Sequence, residues 1–115
     1  MPVAQDVKIF VPAQDFATSL AYYQALGWKL NWQVPKLAEL ELGNHRFLLQ
    51  DYYNKNWAEN FMMYIMVDDV QAWYTHIANV LAKDTFPGTR VNPPKEEAHA
   101  TVAYAWDPCG VLLHF

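Results

Sequence analysis

The sequence predicts one α+β domain made of two β-α-β-β-β halves. Its 115 residues are a common length for one domain, and length alone argues against two ordinary cores. A short apolar strand pattern, an Asp and an amphipathic helix pattern occur in that order twice. Further strand patterns follow each helix, so the second half repeats the first by pattern and not by identity. We therefore predict a first module over about residues 1–56 and a second over about 57–115.

The first module begins with Val7–Val11, which is rich in β-branched residues and predicts a strand that Pro12 ends. Asp15 is placed to cap a helix that runs to Leu26, and Gly27 favours its termination. The apolar positions at helical spacing are Phe16, Leu20 and Tyr23.

Three further strands are predicted in this module. They are Trp28–Val34, Leu37–Leu42 and Arg46–Tyr52, the last two forming a hairpin around Gly43, Asn44 and His45. Tyr53–Asn60 is polar, and we interpret it as an irregular link between the modules.

The second module restarts with a strand at Phe61–Val67 and a helix from Asp69 to Ala82. The segment 83–100 is rich in Pro and charge, which predicts a long mobile loop with Thr89–Val91 as the candidate sixth strand. Thr101–Trp106 and Val111–Phe115 predict the last two strands. They flank the turn Asp107-Pro108-Cys109-Gly110, whose Pro and Gly suit a tight reversal.

Composition excludes several classes of function. The chain is 53% hydrophobic and only 17% charged, which indicates apolar surface hidden in a cavity or an interface. A net charge of −4 without a Lys/Arg cluster argues against nucleic-acid binding, and it gives weak support for a cationic ligand. The single cysteine, Cys109, cannot form an internal disulfide. No apolar run is long enough to span a membrane and no signal-peptide pattern is present, so we expect a cytoplasmic protein.

Three motifs resemble one known superfamily. Asp15–Trp28 (DFATSLAYYQALGW) is similar to its signature after the first strand, and Val67-Asp68-Asp69-Val70 to the start of its second helix. The turn at residues 107–110 resembles its Asp-Pro-Asp-Gly turn, with Cys109 at the third position. Together, in order across nearly the whole chain, they identify the chain as similar to the vicinal-oxygen-chelate (glyoxalase/bleomycin-resistance/extradiol dioxygenase) superfamily. Its character is closest to the metal-free bleomycin-resistance proteins.

The resemblance implies a curved, cup-like mixed sheet with helices outside and a ligand inside. It also implies a homodimer, often with each cup completed by both subunits. Function does not follow from the fold, because this superfamily contains isomerases, dioxygenases, transferases and drug-binding proteins.

The superfamily's enzymes hold a divalent metal through side chains on the first, fourth, fifth and eighth strands. The resemblance implies that the corresponding positions in this chain are Lys8, Gln50, Met62 and His114. Of these four, only His114 is a good metal ligand. A catalytic metal normally needs about three protein ligands. A one-residue register slip would add Asp51 and still leave the set incomplete. His45, His76 and His99 are expected at the solvated surface. We therefore predict no metal and no cofactor.

Alternation along the strands predicts which side chains line the cup. If Val7, Ile9 and Val11 lie under the helices, the predicted ligand-binding residues are Lys8, Phe10, Leu48, Gln50, Met62, Tyr64, Met66 and His114. This lining is mostly apolar and aromatic, which is typical of a small-molecule pocket. The alternative is that these residues fill the core of a small barrel-like cup.

The leading functional hypothesis is a metal-free protein that binds an aromatic or amphipathic drug-like molecule, as in antibiotic resistance. An enzyme is the competing hypothesis, either with unconventional metal ligands or with Lys8 and His114 as acid and base. No Gly-rich phosphate loop, Gly-x-Ser-x-Gly motif or Cys-His pairing supports other catalysis. A third possibility is a subunit that packs against another protein through its apolar face.

Overall fold

The computed structural model describes residues 1–83 and 85–115, in which two four-stranded mixed sheets carry the fold. This confirms the predicted α+β class with its open, curved sheets. None of the helices within these residues combines the length and the apolarity that crossing a bilayer requires. Asp84, which the predicted 83–100 loop includes, lies outside the described residues.

The first sheet has the order β1-β4-β3-β2. Its strands are β1 (Phe10–Ala13), β2 (Lys29–Val34), β3 (Leu37–Leu42) and β4 (His45–Asp51). The edge strand β1 runs parallel to β4, and the other pairs are antiparallel. Gly43, at φ 60°, makes the left-handed turn between β3 and β4, which confirms the predicted hairpin.

The second sheet has the order β5-β10-β9-β6. Its strands are β5 (Met62–Tyr64), β6 (Arg90–Val91), β9 (Tyr104–Trp106) and β10 (Leu112–His114). Strand β10 runs parallel to β5 and antiparallel to β9, so the two sheets have the same parallel-plus-antiparallel arrangement. The repeat that the sequence predicted is therefore visible in the topology.

Both long helices begin where the sequence predicted. Helix α1 (Phe16–Leu26) is capped by Asp15, whose side chain accepts from the Thr18 amide, and Gly27 ends it at φ 119°. In helix α3 (Val70–Lys83), the Asp69 carboxylate accepts from the Ala72 amide at 2.9 Å. The helices pack on one face of each sheet and on each other.

The first predicted strand was placed too early. Residues 1–9 are exposed and lie outside any strand, with Val7 81% and Ile9 48% exposed, so neither lies under a helix. Strand β1 instead continues through Pro12. Because β1 is an edge strand, proline's missing N–H breaks no ladder bond on its open side. Val11 is buried as predicted.

Two other segments differ from the prediction. The link contains a short helix, α2 (Lys55–Glu59), capped by the Asn54 side chain. The 83–100 segment contains β7 (Lys95–Glu96), which forms a hairpin with β8 (Thr101–Val102), and β6 lies close to the predicted sixth strand. The predicted strand at residues 101–106 is therefore divided between β8 and β9.

One hydrophobic core joins the two modules. Tyr22, Tyr23 and Leu26 of α1 contribute to the same cluster as buried side chains from both sheets. The ring of Trp28 lies edge-on to Phe115, with centroids 6.5 Å apart. The helix-facing side of each sheet is therefore filled, and the opposite side is left for other contacts.

Candidate functional site

Each sheet has a face directed away from the helices, and these two faces carry the candidate site. The first-sheet face carries Phe10, Trp32, Val34, Leu37, Glu39, Leu48 and Gln50, by strand alternation and register. The second-sheet face carries Met62, Tyr64, Arg90, Tyr104, Trp106, Leu112 and His114. Large apolar side chains remain exposed on both faces, including Trp32 at 41% and Met62 at 59%. Exposed apolar surface of this kind marks a binding or association surface.

The second-sheet face is a nearly continuous aromatic floor. His114 pairs in register with Tyr64 on one side and with Tyr104 on the other. The His114 ring lies 5.0 Å from the Tyr104 ring and 6.0 Å from that of Tyr64. The next row of the same face is formed by Met62, Leu112, Trp106 and Arg90. A planar ligand on this surface can stack on the faces of the aromatic rings or contact their edges.

His114 is the polar centre of this floor. Its Nε2 atom is buried and has no hydrogen-bond partner among residues 1–83 and 85–115. Burial, followed by the neighbouring His99, lowers the pKa of His114 below its ordinary value of 6.5. A neutral imidazole with a free nitrogen can donate or accept one hydrogen bond.

A hairpin flanks the second-sheet face. The β7–β8 hairpin brings Glu97 to the Tyr104 hydroxyl, which donates to its carboxylate at 3.2 Å. His99 is exposed, as expected, and its ring lies 6.0 Å from that of Tyr64. These contacts define one side of the site with residues from the segment predicted to be a long loop.

Lys8 pairs with a carboxylate on the first-sheet face. Its ammonium forms an ion pair of 2.5 Å with Glu39 on β3, whose side chain is only 7% exposed. The Asn31 amide donates to the same carboxylate at 2.9 Å. Hydrogen bonds from Lys8 and Asn31 lower the pKa of Glu39 below its ordinary value. The lysine thus neutralises a carboxylate in the first-sheet face.

The residues at the superfamily's metal positions do not fit a metal ion. Lys8 contacts the first sheet and Gln50 belongs to it, whereas Met62 and His114 lie on the second sheet, so the four positions come from both modules. The ammonium of Lys8 contacts a carboxylate and has no lone pair to offer. Within the described part of the chain, no three His, Cys, Asp or Glu side chains come together in a metal-binding group.

An open groove of about 780 Å³ lies between the two modules. Three of the predicted ligand-binding residues, Met62, Tyr64 and Met66, line it together with Leu42, Phe47 and Trp73. Met66 is 88% exposed and follows β5, which ends earlier than predicted. Phe10, Leu48, Gln50 and His114 do not line this groove. The predicted residues are therefore distributed over the two faces and the groove.

Sequence reasoning did not place Arg90, Tyr104, Trp106, Glu97 and His99 in the site. For two of them a signal was available, because Tyr104 and Trp106 alternate with the buried Ala103 and Ala105. The other three depend on β6 and on the β7–β8 hairpin, which are only two residues long and give no periodic pattern.

Cys109 is buried in the turn before β10, and burial raises the pKa of its thiol to about 11. A thiol that stays protonated at neutral pH is a poor nucleophile.

Residues 7–115 match the family model described as the glyoxalase/bleomycin resistance protein/dioxygenase superfamily. This match confirms the resemblance drawn from the sequence motifs. No protein among the curated sequences matches the chain.

Several solved structures share the fold. A bleomycin-binding protein from Streptomyces verticillus, complexed with copper(II)-bleomycin, is 19% identical with a TM-score of 0.81, covering 98% of this chain and 97% of that one. A bleomycin resistance determinant encoded on the transposon Tn5 is 23% identical with a TM-score of 0.78, covering 96% and 95%. Lactoylglutathione lyase from Agrobacterium tumefaciens is 16% identical with a TM-score of 0.68, covering 97% and 94%. At these identities the likeness establishes the fold.

Proposed function

We propose that this chain, which belongs to the glyoxalase/bleomycin resistance protein/dioxygenase superfamily, is a binding protein of the bleomycin-resistance type. Its ligand is an aromatic or amphipathic small molecule, and it binds without a metal. The observation that carries the proposal is the second-sheet face, where an aromatic floor surrounds the buried, unpartnered Nε2 of His114 among the described residues. An apolar surface with a few separated polar groups is the usual composition of a small-molecule site.

Two of the similar structures support this choice within the superfamily. They are a protein complexed with copper(II)-bleomycin and a bleomycin resistance determinant, and their names describe binding or resistance. The eight residues predicted from the sequence, Lys8, Phe10, Leu48, Gln50, Met62, Tyr64, Met66 and His114, remain the proposed ligand-binding set. Lys8 belongs to this set because its ammonium neutralises the Glu39 carboxylate on the otherwise apolar first-sheet face.

An enzyme that uses Lys8 and His114 as acid and base finds less support. The Lys8 ammonium is bound to Glu39 of the first sheet, whereas His114 belongs to the second sheet. General acid–base catalysis requires both groups to lie within hydrogen-bonding reach of the reacting atoms.

A homodimer in the cytoplasm completes the proposal. Each sheet of one chain leaves a face with exposed aromatic and apolar side chains, and a second copy can cover these faces and complete the cup. Sedimentation velocity at micromolar concentration is expected to give a dimer, and a monomer at that concentration would contradict this part of the proposal.

A thermal-shift screen tests the binding function. Untagged protein is mixed with dyes, aromatic acids, amines and antibiotics including bleomycin, and hits are titrated by calorimetry. A ligand present at about 100 times its dissociation constant should stabilise the fold by roughly 2.7 kcal/mol. If no member of the screen binds saturably, the binding proposal fails.

Metal analysis of the same untagged protein separates the binding protein from a metalloenzyme. Protein purified without chelator should contain far less than one Ni, Zn, Fe or Mn per chain, and added metal should leave the melting temperature unchanged. Near-stoichiometric metal that also raises the melting temperature would favour the enzyme instead.

A further inference from the structure

Arg90 places its positively charged guanidinium group against the aromatic floor of the second-sheet face. Its Cζ lies 3.9 Å from the centroid of the Trp106 ring, and the two residues are register partners on β6 and β9. Stacking uses one flat side of the guanidinium and leaves its N–H donors free in the plane of the group. No carboxylate among residues 1–83 and 85–115 forms an ion pair with Arg90.

One carboxylate that flanks this face has polar partners of its own. The Glu97 carboxylate accepts from Tyr104 at 3.2 Å and lies 3.9 Å from the Lys95 ammonium. His99 and His114 are the remaining titratable nitrogen groups beside the floor. Although the whole chain has a net charge of −4, the register positions of the second-sheet face hold one cation, Arg90, and no carboxylate, while Glu96 and Asp68 lie beside the face. Charges beyond a Debye length of about 8 Å contribute little at physiological salt, so the local charge determines which ligand is preferred.

The first-sheet face has the opposite arrangement, with its carboxylates neutralised. Glu39 is paired with Lys8, and Glu41 is paired with Arg46 at 3.0 Å. A cationic ligand would have to displace one of these partners. An anionic ligand at Arg90 displaces no side-chain ion pair of the described chain.

A second polar group is suitably spaced for the same ligand. Trp106 and Tyr104 occupy successive positions on one face of β9, about 7 Å apart along the strand. Arg90 stacks on the first of these rings, and His114 contacts the second. A planar molecule lying along this floor therefore contacts the Arg90–Trp106 pair at one end and the Tyr104–His114 pair at the other.

We infer that the second-sheet face selects a planar aromatic compound that carries a carboxylate or a similar oxyanion. Arg90 binds the anion through paired N–H donors, and the floor of Tyr64, Tyr104 and Trp106 contacts the ring system. The inference rests on the proposed binding function and adds the chemical class of its ligand. It reverses the preference for a cationic ligand that the overall acidic balance suggests.

Three probes with one ring system test the inference by calorimetry on the full chain. They are 2-naphthoate, neutral 2-naphthylmethanol and 2-naphthylmethylammonium. The naphthoate should bind about tenfold more tightly than the alcohol, and the ammonium compound most weakly, because a hydrogen-bonded ion pair with Arg90 forms only with the anion.

Variants at Arg90 assign the effect to that side chain. R90Q should lose the tenfold advantage of naphthoate over the alcohol. The matched control K36Q, which removes one exposed positive charge from the first module, should keep it. R90K retains the positive charge without the planar guanidinium. Its preference for naphthoate over the alcohol should lie between those of R90Q and K36Q.

The inference is overturned if the ammonium compound binds most tightly or if R90Q preserves the advantage of naphthoate. Tight binding of the ammonium or neutral probe would overturn it while leaving the binding function intact. Binding of none of the three would also overturn it, and the wider ligand screen then decides the proposed function separately.

Discussion

The hydroxyl of Tyr23 donates a hydrogen bond of 2.6 Å to the carboxylate of Asp107, across a separation of 84 residues. Tyr23 belongs to helix α1 of the first module, and Asp107 begins the turn before the last strand of the second. Both side chains are fully buried. The other carboxylate oxygen of Asp107 accepts from the backbone amides of Cys109 and Val111. This one carboxylate therefore organises the final turn and joins the two modules.

Removing the Tyr23 hydroxyl should destabilise the protein. In Y23F the buried carboxylate loses a partner, which we expect to cost about 1–3 kcal/mol in the free energy of unfolding. The adjacent Tyr22 is an internal control, since it is equally buried but its hydroxyl has no partner among the described residues. Y22F should change stability by less than about 0.5 kcal/mol or increase it. Urea denaturation measures both variants, and equal losses would contradict the assigned role.

Asp107 should make stability depend on pH between about 4 and 6. Burial raises the pKa of Asp107 from its ordinary 3.8 to about 6. The unfolded chain therefore ionises first as pH rises, and this group's contribution to stability decreases until its folded-state pKa is passed. A shift of this size corresponds to at most about 3 kcal/mol.

The variant D107N isolates this effect. Its amide oxygen can still accept from the two backbone amides, and its NH2 group can donate to Tyr23, but it does not titrate. Relative to D107N, the wild-type protein should lose stability between pH 4 and pH 6 in urea denaturation. D15N is the control, because Asn caps helix α1 as well as Asp does. A pH-independent difference between wild type and D107N would refute the assignment.

Breaking the Lys8–Glu39 pair should destabilise the fold more than breaking an exposed pair. K8Q leaves the nearly buried Glu39 carboxylate without its cation, and the double variant K8Q/E39Q should recover part of the loss. K95Q removes an exposed lysine, 74% accessible and 3.9 Å from Glu97, and should have almost no effect. Chemical denaturation at neutral pH compares the three variants.

The K8Q effect should also depend on pH in a defined direction. Lys8 and Asn31 lower the pKa of Glu39, so the stabilisation is complete above the ordinary value of 4.5 and disappears as pH falls through the folded-state value. The difference between wild type and K8Q should therefore shrink in acid. A difference that grows in acid would mean that another group is responsible.

Replacing His114 by Ala should weaken ligand binding while the fold remains intact. The imidazole supplies a free ring nitrogen on the second-sheet face, and its loss leaves the ligand's polar group unpaired, at roughly 1–3 kcal/mol. K36A, at an exposed lysine in the turn between β2 and β3, should retain full affinity. Calorimetry gives the affinities and circular dichroism checks the fold. Unchanged affinity in H114A would remove His114 from the site.

Local sequence determined the elements of this fold. Asp15 and Gly27 define the ends of the first helix because capping depends on a few neighbouring residues. Strands β3 and β4 lie where alternation predicted them, since one side of their sheet is buried against the helices. The superfamily was visible because these local signals appear in its characteristic order.

Tertiary structure decided which side chains meet in the site. Lys8 pairs with Glu39 on β3, and the segment that carries Lys8 forms no strand. Arg90 stacks on Trp106, and Glu97 reaches Tyr104, through strands of only two residues. Such short elements carry no periodic signal, and their position is determined by pairing with residues distant in the chain. The sequence thus determined the fold and its family, while long-range pairing determined the polar chemistry of each face.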